Sequence, residues 1–462
     1  MLGRSPLDRS TGRPIGGETD SGQTYREAKL LGPPSPILGR MTDRMRMDRR
    51  RAYGAVVVAT LSYTFLMFVW FSLPAYLPVI IGDLGLSNTQ AGVVAGAVPL
   101  TYIPIALFTG MAIDRIGPGR SLAAGVLVYG VAQLVRSFAT GFPSLLAATL
   151  LLGVGATAVT FGLPKLVSVL FPPSETGVPS SIYLVGASTG TASAFAVGRP
   201  ILGPALGGWR ALFFWSGVVA IGYGLTWAVV ARRLRIDAHN RAANGAAANA
   251  DAAADGDGSS RTLATIRHDF ELVLTHRELQ LVVVIGTMYL LLAHGLQSWL
   301  PAVLEARGVS PDQAGRTTSL LVAANVVGVL TVPAVADRVG ARRTALIVCG
   351  IIASLGVTGV LATDIGLLLV GSVLVTGFGY GGLSPLIRAI PPDLEGIGAR
   401  LTGTAVGFIF AVGEIGGFLG PVLVGTLHDV TGSYAPGLAI LALGGLVVAA
   451  AGTALRSRDG DG

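Results

Sequence analysis

The feature that most constrains this chain is a recurrence of long apolar runs, each bounded by Gly, Pro or charged residues. They lie near 54–80, 90–112, 120–139, 143–170, 179–204 and 210–231, and again near 280–302, 313–335, 343–362, 366–390, 400–427 and 433–455. About 20 apolar residues in a helix cross the hydrocarbon layer of a bilayer. Inside lipid a helix is the form that satisfies its own backbone without a closed barrel. The spacing therefore predicts an all-α membrane protein of about 12 transmembrane helices in two pseudo-symmetric six-helix bundles. Composition agrees, because 51% of the residues are hydrophobic and 13% charged, against about 25% charged in soluble chains.

The segments between the runs suggest five regions. Residues 1–52 are polar, Arg-rich and read as a disordered basic cytoplasmic tail, with Met41, Met45 and Met47 as alternative starts. An N-terminal bundle follows over 53–236. Residues 237–279 form a cytoplasmic linker, whose Ala/Asn/Asp/Gly-rich part gives way to Leu263, Ile266, Phe270, Val273 and Leu274 at helical spacing. That spacing predicts an amphipathic surface helix. A C-terminal bundle occupies 280–456 and a short tail 457–462.

Arginines set the expected orientation. Arg115, Arg120, Arg232, Arg233, Arg235, Arg338, Arg342, Arg343, Arg400, Arg456 and Arg458 fall on one side if both termini are cytoplasmic. The opposite loops carry chiefly Arg136, Arg210, Arg307 and Arg316. This bias predicts a multi-pass protein of the inner (plasma) membrane with both termini inside. It also accounts for the net charge of +7 without nucleic acid as a partner. The single cysteine, Cys349, excludes an internal disulfide, and no His/Asp/Glu set suggests a metal, a cofactor or a catalytic centre.

A loop motif occurs twice. Gly110-Met-Ala-Ile-Asp114-Arg115-Ile-Gly117 joins the second and third runs; Pro333-Ala-Val-Ala-Asp337-Arg338-Val-Gly340 joins the eighth and ninth. The copies are 223 residues apart (114 to 337), close to half the chain, which points to a duplicated unit. The glycines permit a tight turn, and the carboxylates can cap a helix or accept bonds from Arg.

On these residues the chain resembles the major facilitator superfamily from about residue 52 onward. The resemblance implies that Gly110, Asp114, Arg115, Gly117, Asp337, Arg338 and Gly340 belong to gating loops that latch the halves on the cytoplasmic side. Pro118 and Gly119 stand where basic residues are common in the family, and Pro333 replaces the first glycine of the second copy. Gly203-Pro204, Gly207-Gly208-Trp209-Arg210, Trp299-Leu300-Pro301, Gly416-Gly417-Phe-Leu-Gly420-Pro421 and His428-Asp429 resemble the cyanate permease branch, whose members handle small anions.

Ionisable groups within the runs are site candidates, since each costs about 2.5–3.5 kcal/mol to insert. Lys165 and Arg388 are 223 residues apart, on helices that line the central cavity in the superfamily. They suggest an anion clamp or inner gate, or else two cations that snorkel separately. Glu414 suits a protonation site for coupling, or a partner for a nearby base. Arg199 sees either substrate or outer solvent. His294 and Gln297 share one helical face and suit a polar solute or an interhelical bond, while Tyr102, Asn325, Tyr63 and Trp70 are further cavity candidates.

Some absences narrow the reading. Thr149 stands where many proton-driven members carry an arginine, the arginines typical of nitrate porters are missing, and no Walker loop occurs. The chain is therefore expected to be a secondary active transporter of a small solute, a small anion in particular, working by alternating access. It is expected to be a monomer in the lipid bilayer, with a co-transported proton as a candidate partner. A drug or metabolite exporter and a non-transporting solute sensor are the alternatives; an enzyme is not expected.

Overall fold

The computed structural model describes residues 48–241, 275–394 and 398–455. Most of the expected tail, most of the linker with its amphipathic helix, and the segment 456–462 lie outside the described residues. Twelve long helical segments follow one another among the described residues. In the first half they are α1 (Arg49–Leu84), α2 (Asn88–Ile116), α3 (Pro118–Arg136), α4 (Phe142–Leu170), α5 (Gly177–Ser193) and α6 (Trp209–Arg233). In the second they are α7 (Arg277–Ala306), α8 (Pro311–Val339), α9 (Arg342–Ala362), α10 (Leu367–Ala389), α11 (Gly398–Thr431) and α12 (Ala435–Ala454). Among the described residues, ten segments are long and apolar enough to cross a membrane on composition alone. The others are α3, which carries Arg120, Gln133 and Arg136, and α5, which continues as a π-helix over Ala194–Leu202.

The duplication extends to the caps. Ser87 and Gln90 form a reciprocal capping box at the start of α2, with both bonds 3.1 Å. Ser310 caps α8 through the N–H of Gln313 at 3.4 Å. Each pair is offset by the same 223 residues as the loop motif (87 to 310, 90 to 313). Two residues after each glutamine stands a glycine at a crossing between the halves. A Cβ on Gly92 would lie 2.5 Å from the Pro421 carbonyl of α11, and one on Gly315 would lie 2.5 Å from the Phe195 carbonyl of the π-helix. The second helix of each half thus packs against the fifth of the other, at backbone distance.

We call the end where α1 starts the near face and the opposite end the far face. The start of the linker is folded at the near face, where residues 236–241 are helical. The Asp237 carboxylate accepts from the N–H of Gly119 at 2.8 Å and of Arg120 at 3.4 Å, and pairs with the Arg120 guanidinium at 3.5 Å. It therefore caps α3 and complements its positive end. Gly117 has φ +95°, and a Cβ there would sit 2.3 Å from Asp237 Oδ1; at Gly119 the distance would be 2.9 Å. This carboxylate explains why glycine occupies a place where a basic side chain is common. Asp237→Ala is expected to cost about 1 kcal/mol, read as a lower unfolding midpoint of the purified protein in detergent.

Candidate functional site

Where the halves meet midway along the helices, aromatic side chains from both line the seam. Trp70 of α1 stacks on His294 of α7 at 5.5 Å between ring centroids and 14° between planes. Tyr102 of α2 lies 6.1 Å from Trp70, and its hydroxyl is 2.9 Å from Thr160 Oγ1 of α4, which Tyr63 also reaches. Tyr63 and Tyr183 are 6.3 Å apart, and Tyr289 and Tyr380 6.5 Å.

Arg388 enters this aromatic seam from α10. Its guanidinium stands 4.1 Å over the Phe410 ring of α11, a favourable cation–π geometry. One terminal nitrogen donates to the Ser384 carbonyl at 3.0 Å and also to the Ser384 hydroxyl. Tyr63 and Tyr183 from the first half and Tyr289 from the second lie within electrostatic reach. Arg388 is nonetheless exposed to solvent. A cation flanked by groups from both halves, yet open to water, lines a crevice between them.

Glu414 of α11 lies within reach of Tyr63, Tyr102 and Tyr289. Its Oε2 is buried with no hydrogen-bond partner, near His294 and Pro99 around Gly417. An ionised carboxylate in that setting carries a large desolvation cost.

The remaining sequence candidates fall elsewhere. Lys165 pairs with Asp114 at 2.8 Å, joining α4 to α2 at the near face of its own half. Asp337 and Asp393 both pair with Arg342, at 2.6 and 2.8 Å, within the second half. Arg115 and Arg338 are exposed in the last turns of α2 and α8, Gly340 ends α8 with φ +68°, and a Cβ on Gly110 would meet nothing. Gln297 donates to the Tyr380 hydroxyl at 3.2 Å, and Asn325 is half-buried where α8 touches α10 at Gly381.

Arg199 is drawn to the far face by the π-helix. It is 5% exposed and pairs with Glu305 of α7 at 2.8 Å, across the two halves. It also donates to the Ala75 carbonyl, and its own carbonyl accepts from the Tyr76 hydroxyl at 3.2 Å. A second tie joins the halves nearby. Asp429 of α11 accepts from the backbone N–H of Asn88 (3.0 Å) and of Thr89 (2.7 Å), from Asn88 Nδ2 (2.8 Å) and from Thr89 Oγ1 (2.7 Å). Sequence reasoning missed Glu305 and the role of Asp429. Glu305 sits just past the expected end of its apolar run, and Asp429 reads as a loop residue until α2 is placed beside it.

A family model described as Major Facilitator Superfamily matches residues 59–421, and again 282–461. The chain belongs to the Major Facilitator Superfamily. It is 30% identical to the 3-(3-hydroxy-phenyl)propionate transporter of Escherichia coli (strain K12), over 78% of this chain and 84% of that protein. It is 26% identical to the "Probable sulfoacetate transporter SauU" of Cupriavidus necator (77% and 83% covered) and 24% identical to a D-galactonate transporter of Escherichia coli O6:H1 (79% and 86%). Among solved structures, the nucleoside transporter NupG (D323A mutant) superposes with a TM-score of 0.69 at 13% identity, covering 88% of this chain and 100% of that one. A D-xylose-proton symporter gives 0.65 at 13% identity (87% and 96%). This superfamily member is accordingly a multi-pass membrane transporter of small solutes and not an enzyme.

Proposed function

We propose that this transporter is a secondary active carrier of a small organic anion, which Arg388 binds in the crevice between the halves. The observation that carries the reading is Arg388 itself, solvent-exposed in the last turn of α10 and flanked by tyrosines of both halves. A guanidinium there offers paired donors to a carboxylate. The three sequence relatives named above are named for organic anions of one and of two charges, which supports the class and leaves the number of charges open. The cyanate permease resemblance stands as a proposal of branch only.

The near face, which carries most of the arginines, is the cytoplasmic one in this reading, with both termini in the cytoplasm and the helices in the inner membrane. The far-face ties through Arg199–Glu305 and Asp429–α2 then close the outside, and the crevice at Arg388 opens inward. Alternating access requires those ties to break as the halves rock. Asp114–Lys165 and the Asp337–Arg342–Asp393 cluster hold the near-face loops within each half, so Lys165 acts as a brace beneath the site. His294, Gln297, Tyr102 and Asn325 shape its walls.

Glu414 carries the coupled proton. Glu414→Gln is expected to abolish uptake driven by an inward proton gradient and to leave anion exchange within about threefold of wild type, since a neutral amide mimics the protonated acid. Flux in proteoliposomes, with and without the gradient, checks this. Solute binding with no flux in wild-type vesicles would instead favour the sensor reading.

A further inference from the structure

The charge and lining of the Arg388 crevice restrict its solute more narrowly. We infer that this transporter selects a monoanion with an aromatic ring and discriminates against dianions. The inference rests on the reading of Arg388 as the anion site.

The first ground is charge. Arg388 faces the crevice and has guanidinium donors beyond the nitrogen spent on Ser384. The other bases set within nearby helices are committed elsewhere. Lys165 is held by Asp114 at 2.8 Å, and Arg199 by Glu305 at 2.8 Å. Arg136 is 1% exposed and spends one nitrogen on Gln133 (3.0 Å) and Val69 (3.3 Å). The other ionisable neighbours of the crevice are Glu414, an acid, and His294, whose ring stacks on Trp70 at 5.5 Å between centroids. With Glu414 protonated and His294 neutral the crevice carries one positive charge, and one carboxylate neutralises it. A second carboxylate would lie in a poorly hydrated setting without a cation and beside an acid, at a cost that disfavours binding.

The second ground is the wall. Trp70, Tyr102, Phe161 and His294 form one connected aromatic panel, and Tyr289 with Tyr380 forms another on the opposite half. Trp70, Tyr102 and Tyr380 are buried, whereas Phe161 is 39% exposed and Tyr289 and His294 are half-buried, so the panels are open to contact at these three rings. Aromatic pairs in offset or edge geometry add attraction beyond the area they bury. The polar groups along the walls are mostly used internally: the Tyr102 hydroxyl by Thr160 (2.9 Å) and the Tyr380 hydroxyl by Gln297 (3.2 Å). A polyhydroxylated body would find few uncommitted partners there, whereas a flat ring needs none.

Three probes separate the two grounds: 3-phenylpropionate with a ring and one carboxylate, benzylsuccinate with a ring and two, and hexanoate with one carboxylate and no ring. Binding is measured on the purified full chain at pH 7.5, by thermal shift and by quenching of intrinsic tryptophan fluorescence. The expected result is that 3-phenylpropionate binds at least about tenfold more tightly than either of the others. Equal or tighter binding of benzylsuccinate overturns the charge ground, and equal or tighter binding of hexanoate overturns the ring. No response to any of the three overturns the inference as a whole. Arg388→Gln and Arg388→Lys, tested with whichever probe binds best, distinguish this failure from that of the site. If benzylsuccinate wins and is lost in Arg388→Gln but partly kept in Arg388→Lys, the anion site stands and only the monoanion inference falls. If both variants bind it as wild type does, the anion site falls as well.

Discussion

Arg388→Gln is expected to abolish anion uptake while leaving the purified protein folded. Losing one partner of a charged, partly desolvated hydrogen-bonded pair costs about 2–5 kcal/mol, a factor of roughly 30 to several thousand in affinity. Glutamine is shorter, with its amide at the level of the Arg388 Nε, but it stays polar at an exposed position, which limits the structural damage. Arg388→Lys keeps the charge but loses the planar fork and its stacking on Phe410, so an intermediate defect is expected. Uptake into proteoliposomes, with size-exclusion profiles as the control for folding, checks the pair. Wild-type uptake by Arg388→Gln would remove the proposed site.

The second large effect concerns the far face. The Arg199–Glu305 pair joins α7 to the π-helical end of α5, and it must part when the halves separate there. Removing one partner of a buried pair costs about 3 kcal/mol or more. Arg199→Gln should therefore shift the balance between the two faces by on the order of a hundredfold, toward the state open at the far face. Spin labels on Thr140 and Asp364, exposed in far-face loops of opposite halves, would report a longer mean distance. Transport is expected to fall. The exchanged pair, Arg199→Glu with Glu305→Arg, should recover part of the closure; no change in distance for the single variant would show that the pair is not a gate. The Asp429 tie supplies a second point of closure, and Asp429→Asn should act in the same direction, as it weakens four hydrogen bonds to the start of α2.

The fold was readable because its cause is local. The apolar runs report contact with lipid one segment at a time, and the repeated Asp-Arg-x-Gly loop reports duplication through spacing alone. The start of α1 and the break in α5 were harder. The arginines at 49–51 look like tail until α1 is seen to extend beyond its apolar run, and the π-helix over 194–202 becomes visible once Pro200 and the crossing at Gly315 are placed together. The site was legible only as a set of isolated charges at membrane depth. Lys165 and Arg388 share the repeat spacing and suggest a matched pair, yet the structure gives them unlike neighbours: Asp114 for one, Phe410 and three tyrosines for the other.

By itself the sequence determined which stretches lie in lipid, that they form two copies of one unit, and which charges are too costly to be incidental. Hydropathy, spacing and depth are properties of a segment and its neighbours along the chain. Only the tertiary structure decided the partner of each charge, because partner choice depends on how each helix is rotated and how closely it approaches another. Asp429 reaches Thr89 of α2, and Arg199 reaches Glu305, only after glycine-lined crossings have brought residues 340 and 106 positions apart within hydrogen-bonding distance.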